Sequence, residues 1–416
     1  MNSVDPFRLV VTGGGTGGHT YPALTAVRAL QARLAGQGRA LETRWIGTAD
    51  GLEARVALAE GIAFTSVVTG KIRRSKNPLK LASPANVKDM ARVPLGVMQA
   101  RRAIEEFRPD GVLATGGYVA VPAGLAARLC RRPLVLHEQT VRLGLANRKL
   151  AASASRICVS SESTLELLSE SVRQVAVVTG NPVRPEVLSG QPGRAVQALQ
   201  LWGFGRSLPT VYVTGGAQGS QQINELVGEV LPWLLQWANV IHQCGPANEG
   251  ELRALAAGLP AELAGRYYLA GFVGPELPDV LALADVVVSR SGAGTLAELT
   301  ALGKPAVFVP LASSAGNEQA HNARHLQEAG AAVALEGDVT ADRLREALGP
   351  LLADADLRSG MAGRARAYGR PDAADRLVDE ILAAASGAPV AGPARQSSAP
   401  VPSVQAEASS VNERRR

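Results

Sequence analysis

The sequence predicts an α/β protein built from two Rossmann-like, doubly wound domains that face each other across a cleft. Short apolar runs alternate with helical segments along most of the chain, which is typical of parallel sheets covered by helices. Each half opens with a strand that leads into a glycine-rich loop: Arg8–Thr12 precedes Gly13–Gly18, and Thr210–Val213 precedes Thr214–Ser220. With 416 residues, of which 46% are apolar, the chain is long enough to form both cores.

The N-terminal domain is expected to span 1–184. Its end is placed within Gly180–Val187, GNPVRPEV, because two prolines there stiffen the link to the next domain. The predicted strands of this half are Arg8–Thr12, Thr43–Gly47, Gly111–Ala114, Leu134–Leu136 and Val175–Val178, and its predicted helices include Leu52–Glu60 and Pro122–Leu129.

The C-terminal domain is expected to span 185–360, and the Ala, Pro and Ser content of 386–416 predicts a disordered tail. Helices are predicted over Asp342–Leu352 and Arg358–Ala385. The predicted strands are Thr210–Val213, Val240–Gln243, Tyr267–Leu269, Val286–Ser289 and Ala306–Val309.

Residue content narrows the cellular compartment. Cys130, Cys158 and Cys244 lie far apart and form no C-x-x-C pair, which favours a reducing compartment and argues against a structural zinc site. The N-terminus shows no signal-peptide pattern, and no apolar run approaches the roughly 18 residues that a membrane span requires. We therefore expect a cytoplasmic protein.

The positive charge of the chain is concentrated in one segment. Lys71–Arg102 carries nine Lys and Arg residues against one acid, Asp89, for a net charge of +8, whereas the whole chain carries +6. Aliphatic side chains are interleaved with these cations and aromatic ones are absent, which favours an anionic membrane surface over nucleic acid. An ordinary solvated loop and helix face is the alternative. The residues expected at the membrane are Lys71, Arg73, Arg74, Lys76, Lys80, Leu79, Leu81, Val93, Leu95, Val97 and Met98.

The first glycine-rich loop admits more than one ligand. Gly13, Gly15 and Gly18 satisfy G-x-G-x-x-G with Glu42 downstream, so a dinucleotide site has to be considered. A P-loop is excluded because His19 stands where that motif requires Lys. Since Pro22 suits an early helical position, we expect His19 just before the helix, where the positive helix end favours a neutral imidazole that can accept a proton. A surface histidine without catalytic function is the alternative.

The stretch Val286–Pro310 predicts a βαβ unit with a ligand loop. Its loop, SRSGAG, allows close approach of the backbone, and the following helix start leaves N–H groups free for an anion. Glu298 is expected in the first helical turn, where its carboxylate can accept two hydrogen bonds from a vicinal diol such as a ribose. Alternatively, Thr295 and Glu298 form a capping box that serves only the helix.

Seven motifs occur in an order that resembles one known family. They are GGTGGHTYPAL (14–24), TGGY (115–118), HEQ (137–139), GNPVR (180–184), GGAQGS (215–220), ADVVVSRSGAGTLAEL (284–299) and NEQAHNA (317–323). Over Arg8–Ala385 the chain resembles the MurG family of peptidoglycan N-acetylglucosaminyltransferases. This resemblance implies the glycosyltransferase B fold, with a last helix at about 361–385 returning to the first domain.

The resemblance also implies an activity. The expected enzyme is an inverting hexosyltransferase that moves N-acetylglucosamine from UDP-N-acetylglucosamine to the 4-hydroxyl of the muramoyl sugar in undecaprenyl-linked lipid I, giving lipid II. No cofactor, metal or nucleic acid is expected, and the location is peripheral, at the cytoplasmic face of the bacterial plasma membrane. Contact with other cell-wall synthesis proteins is left open. The rivals are a UDP-N-acetylglucosamine epimerase of the same fold, an NAD-dependent oxidoreductase and a non-catalytic membrane-recruitment subunit.

The resemblance further implies roles for individual residues. His19 is the expected general base, and Thr16, Gly17 and Gly18 border the acceptor's diphosphate as well as the donor. Two positions depart from the family pattern: Thr140 replaces a common Asn, and Ala217 replaces a Ser. The expected donor-binding residues are Thr16, Gly17, Gly18, Arg184, Val273, Ala293, Gly294, Thr295, Leu296, Ala297, Glu298 and Gln319. The expected acceptor-binding residues are Gly14, Gly15, Thr115, Gly116, Gly117, Tyr118, His137, Glu138 and Gln139.

Overall fold

The computed structural model describes residues 5–70 and 84–390. It therefore omits part of the predicted tail, 391–416, and part of the predicted membrane-facing segment. The membrane-facing residues outside the described part of the chain are Lys71, Arg73, Arg74, Lys76, Leu79, Lys80 and Leu81.

The described N-terminal half forms one parallel sheet with helices on its faces. The strands are β1 (Phe7–Thr12), β2 (Leu41–Gly47), β3 (Ala63–Ser66), β4 (Gly111–Ala114), β5 (Leu134–Glu138), β6 (Arg156–Val159) and β7 (Ala176–Val178). The helices are α1 (Gly17–Ala35), α2 (Leu52–Ala59), α3 (Pro84–Phe107), α4 (Ala120–Leu129), α5 (Leu145–Leu150), α6 (Glu162–Glu166) and α7 (Glu170–Arg173), with a 3₁₀ turn at Ala151–Ser153.

The C-terminal half repeats this architecture. Its strands are β8 (Thr210–Thr214), β9 (Asn239–Gln243), β10 (Tyr267–Ala270), β11 (Val286–Ser289), β12 (Ala306–Phe308) and β13 (Ala332–Ala334). Its helices are α8 (Pro185–Leu188), α9 (Pro192–Ala198), α10 (Gln221–Trp237), α11 (Glu249–Ala257), α12 (Ala261–Ala264), α13 (Leu277–Leu283), α14 (Ala293–Leu302), α15 (Glu318–Glu328), α16 (Ala341–Ala353), α17 (Ala355–Tyr368) and α18 (Ala373–Ala385), with 3₁₀ turns at Gly274–Glu276 and Ala315–Asn317.

Strand order determines where each sheet can bind a ligand. The first sheet runs β3-β2-β1-β4-β5-β6-β7, and the second runs β10-β9-β8-β11-β12-β13. The order reverses between β1 and β4 and again between β8 and β11, and all the pairings are parallel. In open α/β sheets, ligands bind beyond the strand ends at such a switch point. The predicted fold class, two doubly wound domains, is confirmed.

The predicted helix Arg358–Ala385 is wrong as a single element. It is two helices, α17 and α18, separated at Gly369–Asp372, where Pro371 cannot donate a helical hydrogen bond and disfavours helical geometry in Arg370. Helix α17 packs against α14 in the second half, whereas α18 packs against the first sheet. The helix that returns to the first domain is therefore α18 alone, and it does not begin at about 361.

Helix α18 is held by an apolar stripe and by ion pairs. Leu377, Val378 and Ile381 recur at helical spacing and lie in the same buried cluster as residues of β1 and β2. Beside them, the nearly buried Arg156 pairs with Glu380 at 3.0 Å and also donates to the carbonyl of Ala388. Ala388, within the segment 386–416 that was predicted to be disordered, is thus hydrogen-bonded to the first domain.

No helix within the two described ranges combines the length and the apolar character that crossing a membrane requires.

Candidate active site

The glycine loop after β1 is shaped by a residue that the sequence analysis missed. Glu53, at the start of α2, is buried and accepts hydrogen bonds from the Gly15 amide at 3.1 Å, the Thr48 amide at 3.0 Å and the Thr48 hydroxyl at 2.7 Å. Burial pushes the pKa of the Glu53 carboxyl upward, but the hydrogen bonds outweigh burial and leave the pKa below its ordinary value. A Cβ on Gly14 would overlap this carboxylate, so that position requires glycine.

His19 lies inside the first turn of α1 and not before the helix as predicted. The helix starts at Gly17, because the Thr16 carbonyl already accepts from the His19 and Thr20 amides, both at 3.2 Å. Pro22 therefore sits within the helix and not at its start. The imidazole is half-buried and points back toward the loop that follows β4.

Two groups hold the His19 ring at Nδ1. This nitrogen lies 2.9 Å from the Thr115 carbonyl oxygen and 3.1 Å from Gln139 Oε1. Both partners are acceptors, so Nδ1 carries the proton and Nε2 of the neutral ring keeps its lone pair. Within the described residues, Nε2 has no hydrogen-bond partner. The bonds at Nδ1 thus fix the tautomer in which Nε2 can accept a proton.

The TGGY loop leaves room for this imidazole. Gly116 and Gly117 have φ values of 99° and 78°, in the left-handed region that favours glycine. A Cβ on Gly116 would lie 3.2 Å from His19 Nδ1, and one on Gly117 would overlap the Gly14 carbonyl oxygen. Two loops of the first switch point therefore contact each other through His19. Gly15 lies against the Tyr118 ring on the same side.

Gln139 connects His19 to a second, fully buried histidine. Its Nε2 group lies 2.8 Å from the Thr115 carbonyl and 3.1 Å from His137 Nδ1. His137 Nε2 lies 3.0 Å from the Gly180 carbonyl, so it donates there and accepts from Gln139 at Nδ1. Burial lowers the pKa of His137 to about 4, which keeps its ring neutral. Gln139 thus holds the His19 ring and is itself held by His137, and the contact of both residues with the acceptor stays a prediction.

Two buried, neutral histidines predict that the folded protein loses stability at acidic pH. His137, together with His242 in the second half, has a pKa of about 4 in the folded protein because of burial, against about 6.5 in the unfolded chain. The unfolded state then binds more protons between these values. The free energy of unfolding should fall as the pH drops from about 6.5 toward 4, by up to about 3 kcal/mol per histidine.

The measurement is the thermal midpoint at pH 7 and at pH 5. The wild-type midpoint should drop on acidification, and His137→Gln, which keeps a polar side chain but cannot titrate, should drop less. An equal drop in both proteins would contradict the lowered pKa of His137 in the folded protein.

Glu138 is used within the protein and does not face the cleft. Its nearly buried carboxylate accepts from the Thr140 amide at 3.1 Å, the Thr140 hydroxyl at 2.8 Å, the Gly144 amide at 2.8 Å and Asn147 Nδ2 at 2.9 Å. The substitution at Thr140 therefore gives a hydroxyl that closes this turn. Both carboxylate oxygens of Glu138 thus have partners within the protein, and its contact with the acceptor stays a prediction.

The capping-box alternative for Glu298 is wrong. Helix α14 begins at Ala293 with Gly292 as its N-cap, so Thr295 is the third helical residue and caps nothing. Glu298 consequently lies in the second turn and not in the first, as was predicted. The helix ends at Gly303 with φ 65°, which confirms the predicted glycine stop.

Glu298 instead pairs with an arginine from the interdomain link. Arg184 Nε donates to Glu298 Oε1 at 2.8 Å, and the Glu298 side chain is 18% exposed. Glu298 Oε2 and the terminal nitrogens of Arg184 have no partner among the described residues. Glu298 Oε2 and the terminal guanidinium nitrogens of Arg184 thus remain available to a ligand where the link meets the second domain.

The sequence analysis missed a second arginine, Arg290, which lies in the SRSGAG loop between β11 and α14. Arg290 donates to Ser220 Oγ at 2.7 Å, Gln222 Oε1 at 2.9 Å, and the carbonyls of Val309 and Pro310 at 2.9 and 3.2 Å. All four partners are uncharged, and burial lowers the pKa of Arg290. Its charge therefore lacks a carboxylate partner in the described part of the chain. It lies between the loops at the second switch point.

The remaining donor-site candidates flank this region. The Val273 amide donates to Gln243 Oε1 at 2.9 Å, so a uracil contact through the Val273 backbone would have to use its carbonyl. Gln319 Oε1 accepts from the Leu311 amide at 3.0 Å, while Gln319 Nε2 has no described partner. Ala217 lies exposed on the loop after β8, where a side-chain hydroxyl is missing.

The two halves enclose a shared cavity. Gln139 and Asn181 line it from the first half, and Ala293, Leu296 and Ala297 line it from the second. A residue from the base-positioning network and the first two turns of α14 thus border the same space. Helix α1, which carries His19, also contacts α14, which carries Glu298.

Two family models match most of the chain. Residues 9–159 match the glycosyltransferase family 28 N-terminal domain, and residues 210–377 match the glycosyltransferase family 28 C-terminal domain. A curated relative from Listeria welshimeri is 33% identical over 377 residues, covering 90% of this chain and 99% of the relative. Another, from Bacillus licheniformis, is 36% identical over 378 residues, covering 90% and 98%. Both are named UDP-N-acetylglucosamine--N-acetylmuramyl-(pentapeptide) pyrophosphoryl-undecaprenol N-acetylglucosamine transferase.

Solved structures agree with this result. The crystal structure of Acinetobacter baumannii MurG has a TM-score of 0.68 at 27% identity, covering 91% of this chain and 99% of that one. A UDP-GlcNAc 2-epimerase from Neisseria meningitidis, bound to UDP-GlcNAc, has a TM-score of 0.62 at 17% identity, covering 90% and 99%. At that identity the epimerase shows the shared fold alone. With the two matched domains and the curated relatives, this chain belongs to the MurG family of N-acetylglucosaminyltransferases, within glycosyltransferase family 28.

Proposed function

We propose that the chain transfers N-acetylglucosamine from UDP-N-acetylglucosamine to the 4-hydroxyl of the muramoyl sugar in undecaprenyl-linked lipid I, giving lipid II. The observation that carries the proposal is that α1, which carries His19, lies against α14, which carries Glu298. On the α1 side, His19 has an Nε2 without a partner among the described residues. On the α14 side, Glu298 has an unpaired Oε2 beside the Arg184 guanidinium. Membership of the MurG family supports the same reaction.

The chemistry is a single displacement. The acceptor oxygen attacks the anomeric carbon, the bond from that carbon to the β-phosphate oxygen breaks, and UDP leaves from the opposite face, so the configuration inverts. His19 Nε2 takes the hydroxyl proton. The Nδ1 bonds to Thr115 and Gln139 stabilise the imidazolium that forms. Thr115 and Gln139 therefore contact the ring nitrogen that does not take the proton.

UDP departure requires positive potential at the second switch point. The free N–H groups at the start of α14 can face the diphosphate, and the fixed charges of Arg184 and Arg290 lie beside the same loops. Glu298 Oε2 can accept from a ribose hydroxyl. Together these groups can stabilise the developing charge without a metal. Thr16, Gly17, Gly18 and the TGGY loop would border the acceptor's diphosphate from the other side.

The position of Glu42 argues against a dinucleotide site at Gly13–Gly18. Glu42 would have to reach a ribose beyond the carboxyl end of β2, but it lies at the start of that strand and pairs with Arg8 at 2.9 Å. Glu42 therefore cannot serve as the ribose-binding acid of an NAD site at Gly13–Gly18. The epimerase alternative has the fold but needs no acceptor.

One assay separates the alternatives. The full-length protein is incubated with labelled UDP-N-acetylglucosamine, with and without a lipid I analogue, in buffer containing EDTA. Labelled disaccharide lipid should appear only with the acceptor, at a rate that EDTA does not change. Epimerised sugar nucleotide without acceptor, or binding of the lipid without turnover, would refute the proposal, and a requirement for added Mg²⁺ would refute the metal-free mechanism.

We also propose that the enzyme acts as a peripheral protein at an anionic membrane surface. Leu95 and Met98 on α3 are 50% and 68% exposed, whereas Val97, predicted at the membrane, packs against the N-terminal core. Replacing Leu95 and Met98 by Glu should weaken co-sedimentation with vesicles containing phosphatidylglycerol, because a buried carboxylate is costly in lipid. Exposed Leu58 on α2 provides the matched control for a Glu substitution elsewhere. Equal binding by all the proteins would contradict the proposal.

A further inference from the structure

Asn181, in the GNPVR link, is a buried amide without a partner. Its side chain is 6% exposed, and neither Oδ1 nor Nδ2 has a hydrogen bond among the described residues. Buried polar side-chain atoms nearly always have a partner, so each exception needs an explanation. The residue before it, Gly180, accepts the hydrogen bond from His137 that anchors the base-positioning network. Asn181 therefore lies next to the catalytic machinery and is not itself used by it.

The amide borders the interdomain cavity described above. The opposite wall includes Ala293, Leu296 and Ala297 of α14, the helix that carries Glu298. Asn322, on the same wall, lies one helical turn after Gln319, a candidate contact to the sugar. A sugar held by the donor site would thus reach the cavity from its side. Asn181 would approach the same space from the N-terminal half.

We propose that Asn181 binds the 2-acetamido group of the transferred sugar, an inference that rests on the proposed function. Asn181 Nδ2 would donate to the acetamido carbonyl oxygen. The N–H and C=O of the trans acetamido group point in opposite directions, so one Asn side chain pairs with only one of them, and this bond gives the orphaned Nδ2 a partner.

Size and polarity agree with this occupant. The cavity has a volume of about 60 Å³, room for roughly four to six water-sized spheres at about 10–15 Å³ each. An acetamido group contributes four heavy atoms. Its methyl would face Leu296, Ala297 and Val141, while its carbonyl oxygen would face Asn181. The proposal makes Asn181 a residue that selects N-acetylglucosamine over glucose.

The test compares three ligands on the full-length protein: UDP, UDP-N-acetylglucosamine and UDP-glucose, which has a hydroxyl in place of the acetamido group. Dissociation constants are measured for wild type, Asn181→Ala and Asn181→Asp. Thr300→Val is the matched control, because Thr300 lines the same cavity but its hydroxyl already donates to the Leu296 carbonyl at 2.8 Å. The isosteric Asn181→Asp retains the volume of the side chain if the alanine variant folds poorly.

Both Asn181 variants should reduce the preference for UDP-N-acetylglucosamine over UDP-glucose by about fivefold, as expected for one neutral hydrogen bond. Affinity for UDP should stay within twofold, and Thr300→Val should keep the wild-type preference. An unchanged preference in the Asn181 variants would mean that the cavity holds only water and would overturn the proposal. A parallel loss for all three ligands would show a structural role and would also overturn it. Failure of the wild-type protein to bind UDP-N-acetylglucosamine would instead refute the proposed function.

Discussion

Replacement of His19 by alanine should lower kcat by about 10²–10⁴-fold, with little change in the donor KM. The imidazole is the group whose proton-accepting nitrogen is left unpaired while the other nitrogen is bound to Thr115 and Gln139. Its removal takes away proton transfer in the transition state but leaves the UDP site intact. Single-turnover rates with saturating lipid I analogue measure this loss directly.

A pH–rate profile distinguishes a base from a structural residue. In wild type, kcat should fall on acidification because the protonated imidazole cannot accept the hydroxyl proton. In His19→Ala that acid limb should disappear. Gln139→Ala, which removes one of the two Nδ1 partners and leaves the Thr115 carbonyl, should lower kcat less than His19→Ala does. A near-normal kcat in His19→Ala would remove His19 from the mechanism.

Replacement of Glu298 by alanine should weaken binding of UDP and UDP-N-acetylglucosamine by roughly 10–100-fold. A hydrogen bond to a charged group contributes about 1.5–3 kcal/mol, and the variant also leaves Arg184 without its carboxylate partner. Since α14 is capped at Gly292, the substitution should not affect the helix start. Isothermal titration with UDP measures the affinity.

A UDP analogue without ribose hydroxyls provides the control for this variant. If Glu298 binds the ribose, wild type and Glu298→Ala should differ much less for 2′,3′-dideoxy-UDP than for UDP. An unchanged UDP affinity in Glu298→Ala would show that the carboxylate only neutralises Arg184. Equal losses for UDP and its dideoxy analogue would place the effect on the Arg184 orientation and not on the ribose.

Elements with strong local patterns were predicted well. The strands Gly111–Ala114 and Val286–Ser289 match β4 and β11 at both ends, and Gly303 ends α14 as expected. The strands β3, β6 and β13 were missed; they have three or four residues each, as do some strands that were predicted, and β3 is also partly exposed. A run this short has too few residues to show a periodicity.

Helix starts were predicted less well than strands. His19 was predicted before its helix and Glu298 in the first turn of its own, since Pro22 and Thr295 carry start signals but lie inside their helices. The observed N-caps, Thr16 and Gly292, have no side-chain capping bond, so the local pattern contains no signal for either start. Here the loop that follows each strand determines where the helix begins.

The local sequence was enough to predict two doubly wound domains and the glycine loops, and to identify His19 and Glu298 as candidates for the base and the ribose carboxylate. It did not indicate which groups would hold them. Gln139 reaches His19 across 120 residues and Arg184 reaches Glu298 across 114, while the unpaired amide of Asn181 is apparent only when the two halves close around it. Parallel sheets gather the ends of distant strands at one edge, and partners brought together in this way leave no pattern in the neighbouring residues.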